Sequence, residues 1–147
     1  MKIAIGSDHA GYELKEHLRE TLEAAGHEVA DCGTQGTESS DYPDFAARVA
    51  GQVRTGRSER GILVCGTGIA MSMAANRVPG IRAANCNDLY TLKLARRHND
   101  ANVLTVGARV IAPAQAETIV EAFFDTPFEA GHHRRRIDKI EELAGSG

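Results

Sequence analysis

Ile62-Leu63-Val64-Cys65-Gly66-Thr67-Gly68-Ile69-Ala70-Met71 is the stretch on which the architecture of this 147-residue chain turns. Its first four residues form a short apolar run of the kind that fills a buried strand, and the glycines break it. Ile69–Asn76 then reads as a helix that begins at once. A strand feeding a helix through a glycine turn is the repeating unit of α/β folds.

The same alternation extends in both directions. Upstream, Lys2–Gly6 reads as a strand, and Leu14, Leu18 and Leu22 mark one face of a helix closed by Gly26. His27–Cys32 is a second strand, Gly33–Asp41 a polar loop, and Pro43 suits the first turn of a helix running to about Thr55, ended by Gly56. Downstream, Ile81–Asn85, Asp88–His98, Val103–Gly107 and Pro113–Phe124 supply strand, helix, strand and helix. The expectation is an α/β fold with five parallel strands in a single domain over residues 1–147. Arg134–Leu143 reads as a C-terminal amphipathic helix with Ile137, Ile140 and Leu143 on one face, docked on the body or on a partner.

Composition narrows the function. Seventeen Lys and Arg against twenty Asp and Glu give a formal charge of -3, so no general basic field is present to hold nucleic acid. The opening apolar run is too short for a signal peptide, and no segment approaches the roughly 18 apolar residues of a membrane span. A soluble cytoplasmic protein is expected. Cys32, Cys65 and Cys86 are odd in number and lack CxxC spacing, which argues for reduced thiols over disulfides or structural zinc.

In a parallel sheet, ligands bind beyond the carboxyl ends of the strands, which singles out Ser7–Gly11, Cys65–Gly68 and Gly107–Arg109. Cys65, at a glycine turn before a helix, would have its thiolate favoured by the helix dipole and could act as base or nucleophile. A small buried residue ending a strand is the alternative. Gly66–Ala70 can present backbone N–H groups to an anion. A dinucleotide fingerprint needs glycine at position 71, and a phosphatase Cys-x5-Arg loop needs arginine there; both meet Met71. Asp8-His9 could bind sugar hydroxyls or transfer protons, or be a capping Asp beside an ordinary His. His98-Asn99 admits a helix C-terminus with a favourable cation as readily as a catalytic role. His132-His133-Arg134-Arg135-Arg136 suits a phosphate or is a solvated basic patch; it has no aromatic residues to stack bases and no ligand spacing for a metal.

Together these segments resemble the ribose-5-phosphate isomerase type B family, with its galactose- and allose-6-phosphate isomerase branches. The matching blocks are Ile5–Gly11, Asp41–Pro43, Cys65–Gly68, Ala74–Asn76, Arg96–Asn102 and Gly107–Val110, spread over nearly the whole chain. The resemblance implies a three-layer α/β/α sandwich with a Rossmann-like sheet, and aldose–ketose isomerisation of ribose 5-phosphate through a cis-enediolate. It implies Cys65 as base, Thr67 as its helper, His98 as ring-opening acid/base with Asp8 assisting, and the backbone from Gly66 through Thr67, Gly68 and Ile69 to Ala70 as anion hole. Asp8, His9, Tyr42, Asn99, Arg109, His132 and Arg136 match substrate-contacting positions. His132 stands where the family usually has arginine, and Met71 where some relatives carry a glutamate base. No metal or cofactor is implied, and the partners expected are a sugar phosphate and at least one further copy of the chain, as a homodimer or tetramer with shared sites. Allose or galactose 6-phosphate is the alternative substrate, and a non-catalytic phospholigand-binding module the alternative from another class.

Overall fold

A computed structural model describes residues 1–145. The strands are β1 (Lys2–Ser7), β2 (Glu28–Asp31), β3 (Arg60–Cys65), β4 (Ala83–Asn85) and β5 (Val103–Gly107). The helices are α1 (Tyr12–Ala24), α2 (Tyr42–Arg54), α3 (Ile69–Ala75), α4 (Leu89–Asn99), α5 (Pro113–Asp125) and α6 (His132–Gly145), with a short 3₁₀ turn at His9–Gly11. All pairings are parallel and the strand order is β2-β1-β3-β5-β4. The α/β sandwich expected from the sequence is the fold observed.

Alternation along the central strands builds two cores. Ile3, Ile5, Ile62, Val64, Leu104 and Val106 point to one face, under Leu14, Leu18 and Leu22 of α1, Leu92 of α4 and Phe123 of α5. Ala4, Leu63, Cys65 and Val103 point to the other, under Phe45 and Val49 of α2 and Met71 and Ala75 of α3. Both faces of the sheet are therefore covered, which explains why β3 reads as a continuous apolar run.

Two strand starts, and the burial of the α6 stripe, differ from the sequence expectation for identifiable reasons. β2 starts at Glu28 because the His27 N–H caps α1 by donating to Leu22 O at 3.1 Å. β4 starts at Ala83 because the Arg82 N–H donates to the Asn102 side chain at 2.8 Å. In α6 the apolar stripe is only partly used, since Ile137 is 2% exposed but Ile140 is 48% and Leu143 75% exposed.

Lys15 is the largest fully buried side chain. Its ammonium donates to Asp31 at 2.8 and 3.0 Å and to Thr34 O at 2.8 Å, and meets Glu16 at 2.9 Å. Asp31 in turn accepts the Gly33 N–H at 3.0 Å, so one buried cation ties α1, β2 and the loop after β2. Hydrogen bonds from Arg19 first, then Lys15, hold the Glu16 carboxyl below its ordinary value of 4.5. The stability this contributes is present above that pH and is lost as pH falls through the lowered value. Asp31→Ala should destabilise the protein by about 2–3 kcal/mol, the lower end for a broken buried pair because Asp31 keeps some water. The urea unfolding midpoint measures it.

Candidate active site

Parallel strands deliver Ser7, Cys65, Asn85 and Gly107 to one edge of the sheet, and the site forms where β1, β3 and β5 end. Cys65 is 4% exposed, with its side chain among Phe45, Met71 and Ala75. Its sulfur accepts the Gly68 N–H at 3.1 Å. Gly68 has φ 87°, a left-handed conformation that lets the chain turn straight into α3. Thr67 is exposed, and its Oγ1 accepts the Ile69 N–H at 3.2 Å. Two of the backbone donors from Gly66 to Ala70 are thus engaged inside the loop.

The loop is clamped against the end of β5. The Ala108 N–H donates to Cys65 O at 2.9 Å and the Arg109 N–H to Gly66 O at 3.0 Å. Asn87 bridges the two segments, donating to Thr67 O at 3.1 Å and accepting the Gly107 N–H at 2.8 Å. A Cβ at Gly107 would stand 2.7 Å from the Thr67 backbone, so only glycine permits this approach. The Arg109 side chain lies over Gly66, which places a guanidinium beside the loop.

Asp8 and His9 line the adjoining strand end. Asp8 caps the 3₁₀ turn, accepting the Gly11 N–H at 3.1 Å, so the capping role weighed from the sequence is present. The Ser40 N–H donates to His9 Nδ1 at 3.2 Å, and the His9 N–H to Ser40 Oγ at 3.1 Å. A backbone N–H can only donate, so Nδ1 is the acceptor and the ring proton sits on Nε2. Tyr42, at the start of α2, is exposed on the same edge.

His98, Asn99, His132 and Arg136 lie elsewhere. α4 returns from the carboxyl end of β4 to the amino end of β5, so His98 in its last turn sits at the opposite edge of the sheet from Cys65. The length of β5, about 13 Å, separates the two ends. The α4 terminus holds Arg82, which donates to Asn99 O at 3.1 Å, and His98 stacks on His133 at the start of α6. A groove of about 770 Å³ runs along this edge, lined by Arg77, Arg82, Asn99 and Ile140 among others, and does not reach Cys65. Within one chain, the sequence-selected residues therefore fall into two separate groups.

Burial pushes the Cys32 and Cys86 thiols up, which keeps them protonated more readily than a free thiol. Sequence reasoning missed Ser40 and Asn87. Ser40 lies in a loop with no spacing signal, and Asn87, just past β4, was detectable only by the rule that singles out strand ends. Among the described residues, no cluster of three or more His, Cys, Asp or Glu could hold a metal ion. None of the described helices is long and apolar enough to cross a membrane.

The profile of the ribose/galactose isomerase family matches residues 3–140. The chain belongs to that family. It is 45% identical over 139 residues to ribose-5-phosphate isomerase B of Escherichia coli, covering 95% of this chain and 93% of that one. A relative from Pectobacterium atrosepticum, a D-erythrulose-4-phosphate isomerase, is 43% identical over 141 residues, covering 95% and 93%. The solved ribose-5-phosphate isomerase B of Clostridium thermocellum superposes with a TM-score of 0.98 at 49% identity, covering 99% of each chain. This family member is an aldose–ketose sugar-phosphate isomerase, which sets aside the non-catalytic module. Gly107→Ala should displace the Thr67 backbone and lower kcat/KM about 10²-fold, the cost that a misplacement of about 1 Å carries even away from the reacting atoms. Unchanged far-ultraviolet circular dichroism beside that loss would locate the damage in the loop.

Proposed function

We propose that the protein interconverts ribose 5-phosphate and ribulose 5-phosphate, with Cys65 as the base. The thiolate removes the C2 proton of the open-chain aldose, the C2–H electron pair forms the C1=C2 double bond of a cis-enediolate as the C1 carbonyl π pair moves onto O1, and the same proton returns to C1. Thr67 moves protons between O1 and O2. The N–H groups of Gly66–Ala70 not used inside the loop carry the enediolate charge, and donors so placed contribute about 3–4 kcal/mol each. Supporting this assignment, the Cys65 sulfur sits at the end of a central strand and accepts the Gly68 N–H at 3.1 Å, in a turn whose Thr67 is exposed and whose Gly66 lies under the Arg109 side chain. A thiol base suits the cytoplasm, where cysteines stay reduced.

The two groups of residues at opposite edges support a site completed by a second copy. In this reading His98, which opens the furanose ring, and Asn99, His132 and Arg136, which hold substrate, come from the partner, facing Asp8, His9, Tyr42 and Arg109. A two-fold axis then produces two equivalent sites. Exposed Ile69, Met73 and Val110 around the Cys65 loop, and Ile140 and Leu143 on α6, are apolar surface for such a contact. A four-carbon aldose phosphate is a second reading, favoured by the Pectobacterium relative. Turnover on a panel of four-, five- and six-carbon aldose phosphates separates the sugars, allose and galactose 6-phosphates included.

Cys65→Ala should retain binding and lose turnover by about 10²–10⁴-fold, the usual contribution of a positioned base. Mixing Cys65→Ala with His98→Asn copies tests the shared site. Each alone should be nearly inactive on ribose 5-phosphate, yet random exchange should restore about a quarter of the native rate, because half of the sites in each mixed dimer escape both changes. Failure of the mixture to recover activity would place both residues in one chain's site. His132→Arg should lower KM for the sugar phosphate with kcat nearly unchanged, as expected for a contact made equally in ground and transition states. Arg134 is occupied over the Phe128 ring, 4.8 Å from its centroid, and is a poor substitute.

A further inference from the structure

His133 has no role in the reading above, yet its ring stacks on that of His98. The two rings stack with centroids 4.3 Å apart and planes 16° from parallel. His132 packs on His133 in turn, at 4.0 Å and 41°. The arrangement is held from both sides. The end of α4 is fixed by Arg82, which donates to Asn99 O and Asp100 O, and by buried Arg96, which donates to Ala101 O at 2.8 Å. α6 is fixed by Ile137, buried one turn beyond His133 and on the same face. The peptide N–H of Glu129 donates to Arg97 O at 3.0 Å, tying the segment before α6 to α4.

The His98 side chain is itself 40% exposed, and its nearest charged partner is Glu129, 4.0 Å from Nε2. That distance is too long for a hydrogen bond, so the carboxylate does not fix the ring. A half-exposed imidazole without such a bond turns freely about its side-chain torsions, whereas ring opening needs its nitrogen aimed at one oxygen. A flat neighbour in parallel contact removes most of those orientations.

We infer that His133 is a positioning residue, stacking on His98 to hold the imidazole in the plane from which it opens the sugar ring. The inference rests on the ring-opening role proposed for His98. Burial, then the charges of His132 and His98 and of Arg136, push the His133 imidazole below its ordinary value, with Glu129 opposing them.

The test compares cyclic ribose 5-phosphate with erythrose 4-phosphate, which cannot close to a furanose by the same attack. His133→Ala should lower kcat on ribose 5-phosphate roughly five- to tenfold, the range set by loss of one aromatic pair. It should leave the erythrose 4-phosphate rate unchanged. His133→Phe, which keeps the flat surface, should restore most of the rate, and His98→Asn/His133→Ala should be no slower than His98→Asn. Unchanged turnover in His133→Ala, an equal loss on both substrates, or no rescue by phenylalanine overturns the positioning role. If His98→Asn alone loses both activities equally, the ring-opening role fails and the inference falls with it. If His98→Asn is selective and His133→Ala is silent, only the stack is rejected.

Discussion

Every strand of this sheet runs the same way, and that constraint organises the molecule. A chain that leaves one parallel strand must travel back along the sheet before it can start the next, so each crossover helix begins beyond the carboxyl end of one strand and ends before the amino end of the next. Loops at the carboxyl edge hold Asp8, His9 and the Cys65–Gly68 turn; helix ends at the amino edge hold His98 and Asn99. The residues proposed to carry the chemistry are distributed between those edges by topology, before any side chain is considered.

Within the carboxyl edge, placement depends on short contacts between backbones. β3 and β5 are neighbours, and the turn after β3 folds over Gly107 until the Thr67 backbone occupies the space of a missing side chain. Asn87 then satisfies both segments at once. The β1 and β2 side of the same edge is held by a different device, the buried Lys15 ammonium with Asp31 and the Thr34 carbonyl. Ser40, later in the loop after β2, fixes the His9 ring. A rigid turn and an anchored loop thus face each other across the end of β1.

Much of this was legible in the residues. Apolar runs bounded by glycine located the central strands, because a sheet covered on both faces leaves no polar alternation to blur them. The errors fall where side chains compete with the ladder, as Asn102 does for the Arg82 N–H, or where a helix cap takes the N–H, as at His27. The stripe on α6 located an apolar face, of which the body covers only Ile137, because periodicity reports such a face and not what covers it. In the site, Cys65, Thr67 and Asp8 were readable as strand-end residues. Ser40 was not, since its role arises from a pairing with His9 across 31 residues that no local pattern encodes.

The burial of Cys65 carries a consequence for chemical durability. Thiolates are readily capped, and an exposed one is open to mixed-disulfide formation with a bulky partner such as glutathione. Here the sulfur is lodged among Phe45, Met71 and Ala75 under a clamped turn. Proton transfer needs only a narrow approach for one carbon–hydrogen bond, whereas mixed-disulfide formation needs room for a bulky partner in line with the sulfur. The packing that positions the thiol also discriminates by size among the reagents able to destroy it.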